Sequence, residues 1–138
     1  MKEKLQSTTV AAPTKPSEKP TLVLGASLKP IRYSNKAIRM LREHDVPVLA
    51  LGLREGQVED VDISKNRGEF LEKDIHTVTM YLNAYRQEEF YDYIVSMAPK
   101  RVIFNPGAEN RQLSEILEAK GIDVVEACTL VMLTLNQF

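Results

Sequence analysis

The sequence predicts a single α/β domain, built on a doubly wound parallel sheet of about five strands with helices on both faces. One observation is that short apolar runs of strand length recur between Thr21 and Val125. Another is that segments with apolar residues at helical spacing separate most of these runs. Continuous apolar strands that alternate with amphipathic helices are typical of parallel sheets buried on both faces. Right-handed crossovers then give a three-layer, Rossmann-like arrangement, for which 138 residues suffice.

The strand predictions depend on apolar and β-branched runs that end at glycine, proline or a polar turn. A polar stretch, 53–73, contains Val61-Asp62-Ile63, which is predicted as either a short strand or a turn. The spatial order 3-2-1-4-5 is the one on which the site prediction below depends. The five predicted strands are Thr21–Leu24, Val46–Leu51, Ile75–Leu82, Arg101–Phe104 and Ile122–Val125.

Three helices are predicted between these strands. Ser34 or Asn35 is the expected N-cap of the first helix, and Asn110 is the expected N-cap of the third. Gly121 stands where a glycine at C′ ends a helix. The predicted segments are 34–44, 87–97, a helix between Asn110 and Gly121 with Leu113, Ile116 and Leu117 on its core face, and a final apolar piece, Leu130–Leu135.

The first 20 residues differ from the rest of the chain. They carry Pro13, Pro16 and Pro20 among lysine, serine, threonine and alanine. Such a segment buries too little apolar surface to offset the entropy lost on ordering. We therefore expect residues 1–20 to form a flexible N-terminal tail and residues 21–138 to form the domain.

The composition favours a globular protein in water and excludes several partner classes. Hydrophobic residues make up 43% of the chain and charged residues 27%, with a net charge of -1. No basic cluster indicates nucleic acid, and no apolar run indicates a membrane span or a secretory signal. Cys128 is the only cysteine, which rules out an intramolecular disulfide and favours a reducing, cytoplasmic setting.

The strand ends carry the strongest functional signal. The first strand stops at Gly25-Ala26-Ser27, and a helix follows after a loop. Backbone N–H groups in such a turn can approach a phosphate closely, which indicates a nucleotide-type ligand. With the order 3-2-1-4-5, the loop 105–110 after the fourth strand flanks the same crevice. Lys29 and Arg32 are candidates to meet phosphate charge, with the Ser27 hydroxyl as a donor; the alternative is an ordinary connection with solvated basic residues.

A dinucleotide fingerprint is incomplete here. The motif G-x-G-x-x-G would need glycine at three places, and the chain has Gly25, Ser27 and Pro30. The second strand is followed by Arg54 instead of an acidic residue. An arginine suits an additional ribose phosphate, as in NADP or coenzyme A, unless Arg54 is simply a residue of a surface loop.

No catalytic constellation is predicted. His44 and His76 have no sequence partner typical of a triad or a metal site. Cys128 suggests a mixed disulfide with a ligand thiol, but a small buried residue is the favoured role. Glu109 and Glu126 lack a paired acid or nucleophile. The prediction is therefore no catalytic residue and no metal ligand.

Three motifs resemble the CoA-binding domain family, the Rossmann-like domain of the succinyl-CoA synthetase α subunit and of small stand-alone bacterial proteins. They are Gly25-Ala26-Ser27 with Pro30 and Arg32-Tyr33-Ser34, then 104–110, and then 126–133, within a resemblance that spans about Thr21 to Leu133. The resemblance implies a site that holds the ADP-like part of coenzyme A. Carried over, Gly25, Ala26, Ser27 and Arg32 match the phosphate loop, Gly52 and Arg54 lie near the ribose, and Asn105, Pro106, Gly107 and Asn110 line the facing loop.

The expected function is that of a small CoA-binding-type protein, a binding or regulatory module and not an enzyme. Its expected ligand is coenzyme A or acyl-CoA, ahead of NADP, and neither nucleic acid nor a membrane is expected as a partner. Two alternatives stay open. One is a small NADP-dependent oxidoreductase, and the other is an interaction module with a vestigial nucleotide site. In the latter, the segment Leu130–Leu135 would pack between subunits of a homo-oligomer.

Overall fold

A computed structural model describes residues 15–138. These residues form seven strands and five α-helices, with three short 3-10 turns at Pro16–Glu18, Arg67–Phe70 and Glu88–Phe90. The strands are β1 (Thr21–Ala26), β2 (Val48–Gly52), β3 (Gly56–Val58), β4 (Val61–Ser64), β5 (Thr77–Met80), β6 (Arg101–Phe104) and β7 (Asp123–Glu126). The helices are α1 (Tyr33–Glu43), α2 (Ala84–Gln87), α3 (Tyr91–Met97), α4 (Arg111–Ala119) and α5 (Thr129–Thr134).

One sheet contains all seven strands, in the order β3-β4-β2-β1-β5-β6-β7. Every neighbouring pair is parallel except β3 and β4, which form an antiparallel hairpin at one edge. The α/β prediction is confirmed, and the sheet has seven strands instead of about five. The two extra strands, β3 and β4, come from the polar stretch after β2, where Val58, Val61 and Ile63 bury their side chains.

The predicted strand order was wrong in one respect. The third predicted strand became β5, and it lies between β1 and β6 instead of outside β2. The place beyond β2 is taken by β4, which pairs with it through Ala50 and Ile63. The first and fourth predicted strands are therefore not neighbours. The strand order still reverses at β1, because the chain adds β2 on one side of β1 and later returns to add β5 on the other side.

Two hydrophobic clusters cover the two faces of the sheet. Along β1, Leu22 and Leu24 point into one cluster and Val23 into the other, as the alternation of a strand requires. Helices α3 and α4 close the first cluster with Ile94 and Leu117, and α1 and α5 close the second with residues that include Leu133. Burial on both faces explains why the sequence of β1 is continuously apolar.

The helix ends agree with the predictions in part. Asn110 caps α4, since its Oδ1 accepts a hydrogen bond from the N–H of Leu113 at 3.0 Å, and Gly121 adopts φ 78° beyond the helix end. The predicted caps of α1 were wrong: Arg32 holds the N-cap position, and Ser34 and Asn35 are buried inside the first turn. The predicted helix 87–97 divides into α2, a 3-10 turn and α3.

The last residues of the predicted tail form hydrogen bonds with the domain. The carbonyl of Pro20 accepts the N–H of His76 at 2.9 Å, and the Lys19 ammonium donates to the carbonyl of Phe138 at 2.6 Å. These bonds hold residues 19 and 20 on the domain, and the expectation of a flexible segment stays a prediction for residues 15–18. The part of the prediction that concerns residues 1–14 lies outside the described residues. Within residues 15–138, no helix has the length and the apolar character needed to cross a bilayer.

A cluster of basic residues surrounds the start of β5, at the amino edge of the sheet. The His76 ring lies 2.8 Å from the hydroxyl of Thr77, which also accepts a hydrogen bond from the Arg101 guanidinium. Burial is the main cause that lowers the pKa of His76, and nearby positive charges lower it further, against a smaller effect of Asp74. Those charges belong to Arg101, Lys19 and Lys100. The folded protein therefore favours the neutral imidazole.

We expect acid to destabilise the protein partly through His76. Its folded-state pKa lies below the unfolded value of about 6.5, so the unfolded chain binds the extra proton first as the pH falls. The contribution to stability is complete above about pH 6.5 and is lost below it. Urea denaturation at pH 7.5 and pH 5 should show a smaller loss of stability for His76→Gln than for the unaltered protein. Equal losses would contradict the assignment.

Candidate functional site

A cleft of about 740 Å³ opens at the carboxyl edge of the sheet. It is lined by the loops that follow β1, β2, β4, β5 and β6, together with the first residues of α1 and α5. Doubly wound sheets bind ligands at this edge, where the strand order reverses. The volume lies in the range of small-molecule sites. The cleft is therefore the candidate functional site.

The connection from β1 to α1 forms the centre of the cleft. Gly25 adopts φ 97° at a bulge, where Leu24 pairs with Leu51 but Ala26 pairs with Gly52. A Cβ atom on Gly25 would lie 3.2 Å from the backbone at Tyr81 and Leu82. Glycine thus permits both the left-handed backbone and the close approach of the loop after β5.

Two residues of α1 hold this connection in place. The side-chain amide of Asn35 donates to the carbonyl of Ser27 at 2.9 Å, and its oxygen accepts from the Arg39 guanidinium at 2.9 Å. Arg39 also donates to the carbonyl of Pro30 at 3.1 Å. The Ser27 hydroxyl accepts the N–H of Lys29 at 3.1 Å, which leaves its own proton free for a ligand. Sequence reasoning assigned Asn35 to a cap and did not single out Arg39.

Positive charge is concentrated in the cleft. Six basic residues line it and only one acidic residue, Glu89, does so, although the whole chain has a net charge of -1. Arg67 already has partners within the protein, because it forms an ion pair with Glu89 at 3.4 Å and its guanidinium lies 4.0 Å from the centre of the Phe90 ring. The other five basic residues are Lys29, Arg32, Arg54, Lys65 and Arg86. Within residues 15–138, none of their side chains forms an ion pair or a hydrogen bond with another side chain. An anionic ligand would complement this surface.

Gly52 and Arg54 mark the end of β2. A Cβ atom on Gly52 would lie 2.3 Å from the carbonyl oxygen of Ala26, so glycine is needed there for strand packing. Arg54 is exposed and lines the cleft, as does the neighbouring Leu53, which is 70% exposed. The glycine therefore shapes the wall of the cleft, and the arginine supplies charge to it.

Asn105, at the end of β6, uses its side chain internally. The amide donates to the hydroxyl of Thr79 at 2.8 Å and to the carbonyl of Met80 at 2.9 Å. Its oxygen accepts the N–H of Thr129, the first residue of α5. The residue lines the cleft, and these bonds fix the positions of β5, β6 and α5 relative to one another.

Asn110 lies outside the cleft. Its amide donates to the side-chain oxygen of Gln87 and to the hydroxyl of Tyr91, each at 2.9 Å. Gln87 is fully buried and donates to the carbonyls of Leu82 and Ala108, at 2.8 and 2.7 Å. It therefore ties together the loops after β5 and β6, a role that sequence reasoning missed because nothing in the local sequence marks this glutamine for burial.

The predicted site residues thus separate into two groups. The structure brings most of them together around the cleft, and it places Asn110 behind the wall that they form. Those that line the cleft are Gly25, Ala26, Ser27, Arg32, Gly52, Arg54, Asn105, Pro106 and Gly107.

Two titratable side chains line the cleft, Tyr81 directly after β5 and Cys128 directly before α5. The Tyr81 hydroxyl is buried without a hydrogen-bond partner among the described residues, and burial raises the pKa of Tyr81 well above its usual range. The nearby hydroxyls of Thr79 and Thr129 bond to each other at 2.8 Å. Cys128 is half-buried and also lines the cleft. No group of three potential metal ligands occurs within residues 15–138.

Both histidines lie far from the cleft in the architecture of the sheet. His44 follows the end of α1, and its ring contacts the carbonyl of Met40 at 2.9 Å. His76 precedes β5 at the amino edge of the sheet. Parallel strands separate this edge from the carboxyl edge, so neither imidazole reaches a ligand held in the cleft.

Solved structures show the same fold. A crystal structure of an uncharacterized protein is 42% identical, with a TM-score of 0.83, and the match covers 87% of this chain and 98% of that chain. A Thermus thermophilus protein is 22% identical with a TM-score of 0.76, covering 87% and 90% of the two chains. A hypothetical protein from Pyrococcus horikoshii is 22% identical with a TM-score of 0.72, covering 80% and 78%.

Sequence comparison identifies the family. Among curated proteins, none matches the chain significantly. The sequence model described as the CoA binding domain matches residues 19–134, which include every strand and helix of the sheet described above. The resemblance inferred from the motifs at residues 25–34, 104–110 and 126–133 is thereby confirmed. This chain belongs to the CoA binding domain family.

Proposed function

We propose that this protein binds coenzyme A or a CoA thioester in the cleft and acts as a binding or regulatory module, not as an enzyme. The observation that carries the proposal is the concentration of six basic residues in a cleft of a chain with net charge -1. Coenzyme A carries a diphosphate and a ribose phosphate, which need this kind of surface. Membership of the CoA binding domain family supports the same ligand.

In this proposal, different cations bind the two phosphate-bearing parts of the ligand. Lys29 and Arg32 belong to the connection that also presents the bulge at Gly25, so they are assigned to the diphosphate. Arg54 and Lys65 follow the neighbouring strands β2 and β4 and are assigned to the ribose phosphate. Each exposed contact is weak, on the order of 0.2–1 kcal/mol, and affinity requires several together.

The placement of the histidines favours binding over turnover. Both histidines lie away from the cleft, and the cations described above would stabilise ground-state phosphate charge. The side chains of Asn105 and Gln87 serve to fix the loops. In this proposal the cleft recognises a nucleotide, and a change in the bound loops would transmit occupancy to a partner.

Titration calorimetry tests the proposal. We expect coenzyme A to bind, dephospho-coenzyme A to bind more weakly, and Arg54→Ala to weaken coenzyme A by roughly twofold to fivefold, since an exposed charge contact contributes about 0.2–1 kcal/mol. The control is Lys120→Ala, which removes the same charge from the exposed end of α4 at the opposite edge of the sheet. An absence of heat and of any thermal shift at millimolar coenzyme A would leave the vestigial site as the better account.

NADP is the second candidate ligand, because Arg54 suits its ribose phosphate as well. We expect it to bind more weakly than coenzyme A. The chain has Ser27 and Pro30 where a dinucleotide fingerprint needs glycines, and Pro30 has no N–H to offer. Tighter binding of NADPH than of coenzyme A in the same titration would favour the oxidoreductase alternative.

A further inference from the structure

The charge of the cleft is distributed unevenly along the sheet. All six cations come from segments next to β4, β2, β1 and β5. The part next to β6 and α5 contains no charged side chain; it is lined by Pro106, Gly107, Ala108, Cys128 and Leu130. Four strand spacings separate β4 from β6, roughly 19 Å at about 4.8 Å each, and the cation nearest to β6 is Arg86, from the segment after β5. The cleft therefore has a cationic end and an uncharged end.

The uncharged end disfavours a second anion. The carboxylate of Glu109 accepts the N–H of Gly107 at 2.9 Å, so a donor that faced the rim is already occupied by a negative group. Glu126 is exposed at the carboxyl end of β7, on the same side. The Asn105 amide is also fully engaged. A carboxylate placed here would lose water without gaining a cation, and the unpartnered hydroxyl of Tyr81 is a single neutral donor that does not replace the hydration of a charged group.

The same end favours apolar atoms. Leu130 lines the cleft at the start of α5, and Pro106 offers exposed carbon surface from the loop after β6. If the phosphates of a ligand occupy the cationic end, as the proposed function holds, the neutral pantetheine arm leads toward this uncharged end. Whatever is attached to the thiol then meets Pro106, Cys128 and Leu130.

We infer that the natural ligand is the CoA thioester of an uncharged, apolar carboxylic acid, and that dicarboxylic acyl groups are discriminated against at the uncharged end. The inference depends on the proposed function and adds a specificity to it. Leu130 is a specificity-determining position in this scheme, because it is the apolar side chain that α5 contributes to the cleft.

Calorimetry with butyryl-CoA and succinyl-CoA tests the inference, since both acyl groups have four carbons and only one carries a carboxylate. We expect butyryl-CoA to bind at least about tenfold more tightly than succinyl-CoA, and up to roughly 15-fold more tightly than acetyl-CoA because of its two extra methylenes. Equal affinities, together with clear binding of coenzyme A, would overturn the inference and leave the proposed function intact. Failure of every CoA species to bind would overturn both.

Charge variants provide the matched control. Leu130→Lys places a cation at the uncharged end and should bring the affinity for succinyl-CoA up to or above that for butyryl-CoA. Val131→Lys adds the same charge at the next position, which is 52% exposed and does not line the cleft, and should leave the preference unchanged. Pro106→Lys tests the same end from an exposed loop, so it keeps the test valid if the change in α5 impairs folding. An unaltered preference in both Leu130→Lys and Pro106→Lys would refute the assignment of the acyl group to this end.

Discussion

Replacing Gln87 with leucine is expected to destabilise the protein by about 3 kcal/mol and to weaken ligand binding at the same time. Gln87 is fully buried and donates to the carbonyls of Leu82 and Ala108 while it accepts from Asn110. Leucine has a similar size but leaves these polar groups without their partner, and each such group costs roughly 1–3 kcal/mol. Urea denaturation should report the loss of stability, with a fall of roughly 10 °C in the melting temperature.

The control for this change is Gln112→Leu. Gln112 is exposed on α4, so the substitution should alter stability by less than about 0.5 kcal/mol. Because Leu82 and Ala108 line the cleft, Gln87→Leu should also weaken coenzyme A in calorimetry under conditions where the variant remains folded. A Gln87→Leu protein as stable as the control would show that the buried amide bonds contribute little.

Gly52→Ala is expected to cost about 3 kcal/mol through backbone displacement. The added Cβ would lie 2.3 Å from the carbonyl oxygen of Ala26 on β1 and 3.1 Å from the Ile63 side chain on β4. Overpacking in a well-packed interior typically costs about 1–3 kcal/mol, and here the contact is with backbone that cannot rotate away. The strands must separate, which moves Ala26 and Ser27 at the centre of the cleft.

Gly68→Ala is the matched substitution. The nearest atom to its added Cβ is the side-chain oxygen of Asn66 at 3.2 Å, and the position is exposed in a 3-10 turn. Its stability should stay within about 0.5 kcal/mol of the unaltered protein. If the two alanine variants unfold at the same urea concentration, the close approach of β1 and β2 does not limit stability.

The general fold was predictable because its signals are local. The buried strands are rich in apolar and β-branched residues, and β1 shows this most clearly, with Leu22, Val23 and Leu24 buried on two faces. The hairpin of β3 and β4 was not recognised as such because its strands are only three and four residues long and alternate with exposed charges. The neighbour of β2 was therefore misassigned, since the order of strands depends on contacts between segments distant in sequence.

The candidate site was predictable to a different degree. The turn at Gly25 and the arginines at positions 32 and 54 are visible as residues after strands, and the structure places them on one cleft. Lys65 and Arg86 come from a polar loop and a short helix, where nothing local marks them. Their convergence is a property of the sheet order. The burial of Gln87 is likewise decided by the loops that close over it.

The contact between Lys19 and Phe138 determines where the two ends of the domain lie. The Lys19 ammonium donates to the Phe138 carbonyl at 2.6 Å, and residues 20 and 21 join the amino edge of the sheet through Pro47 and His76. Both ends thus leave the domain from the edge opposite the cleft. A circularly permuted chain, with a short glycine-rich linker between residues 138 and 19, should keep the same fold. A fluorescent reporter fused after residue 138 would leave the cleft mouth unobstructed, which makes the protein a practical scaffold for a sensor of its own ligand.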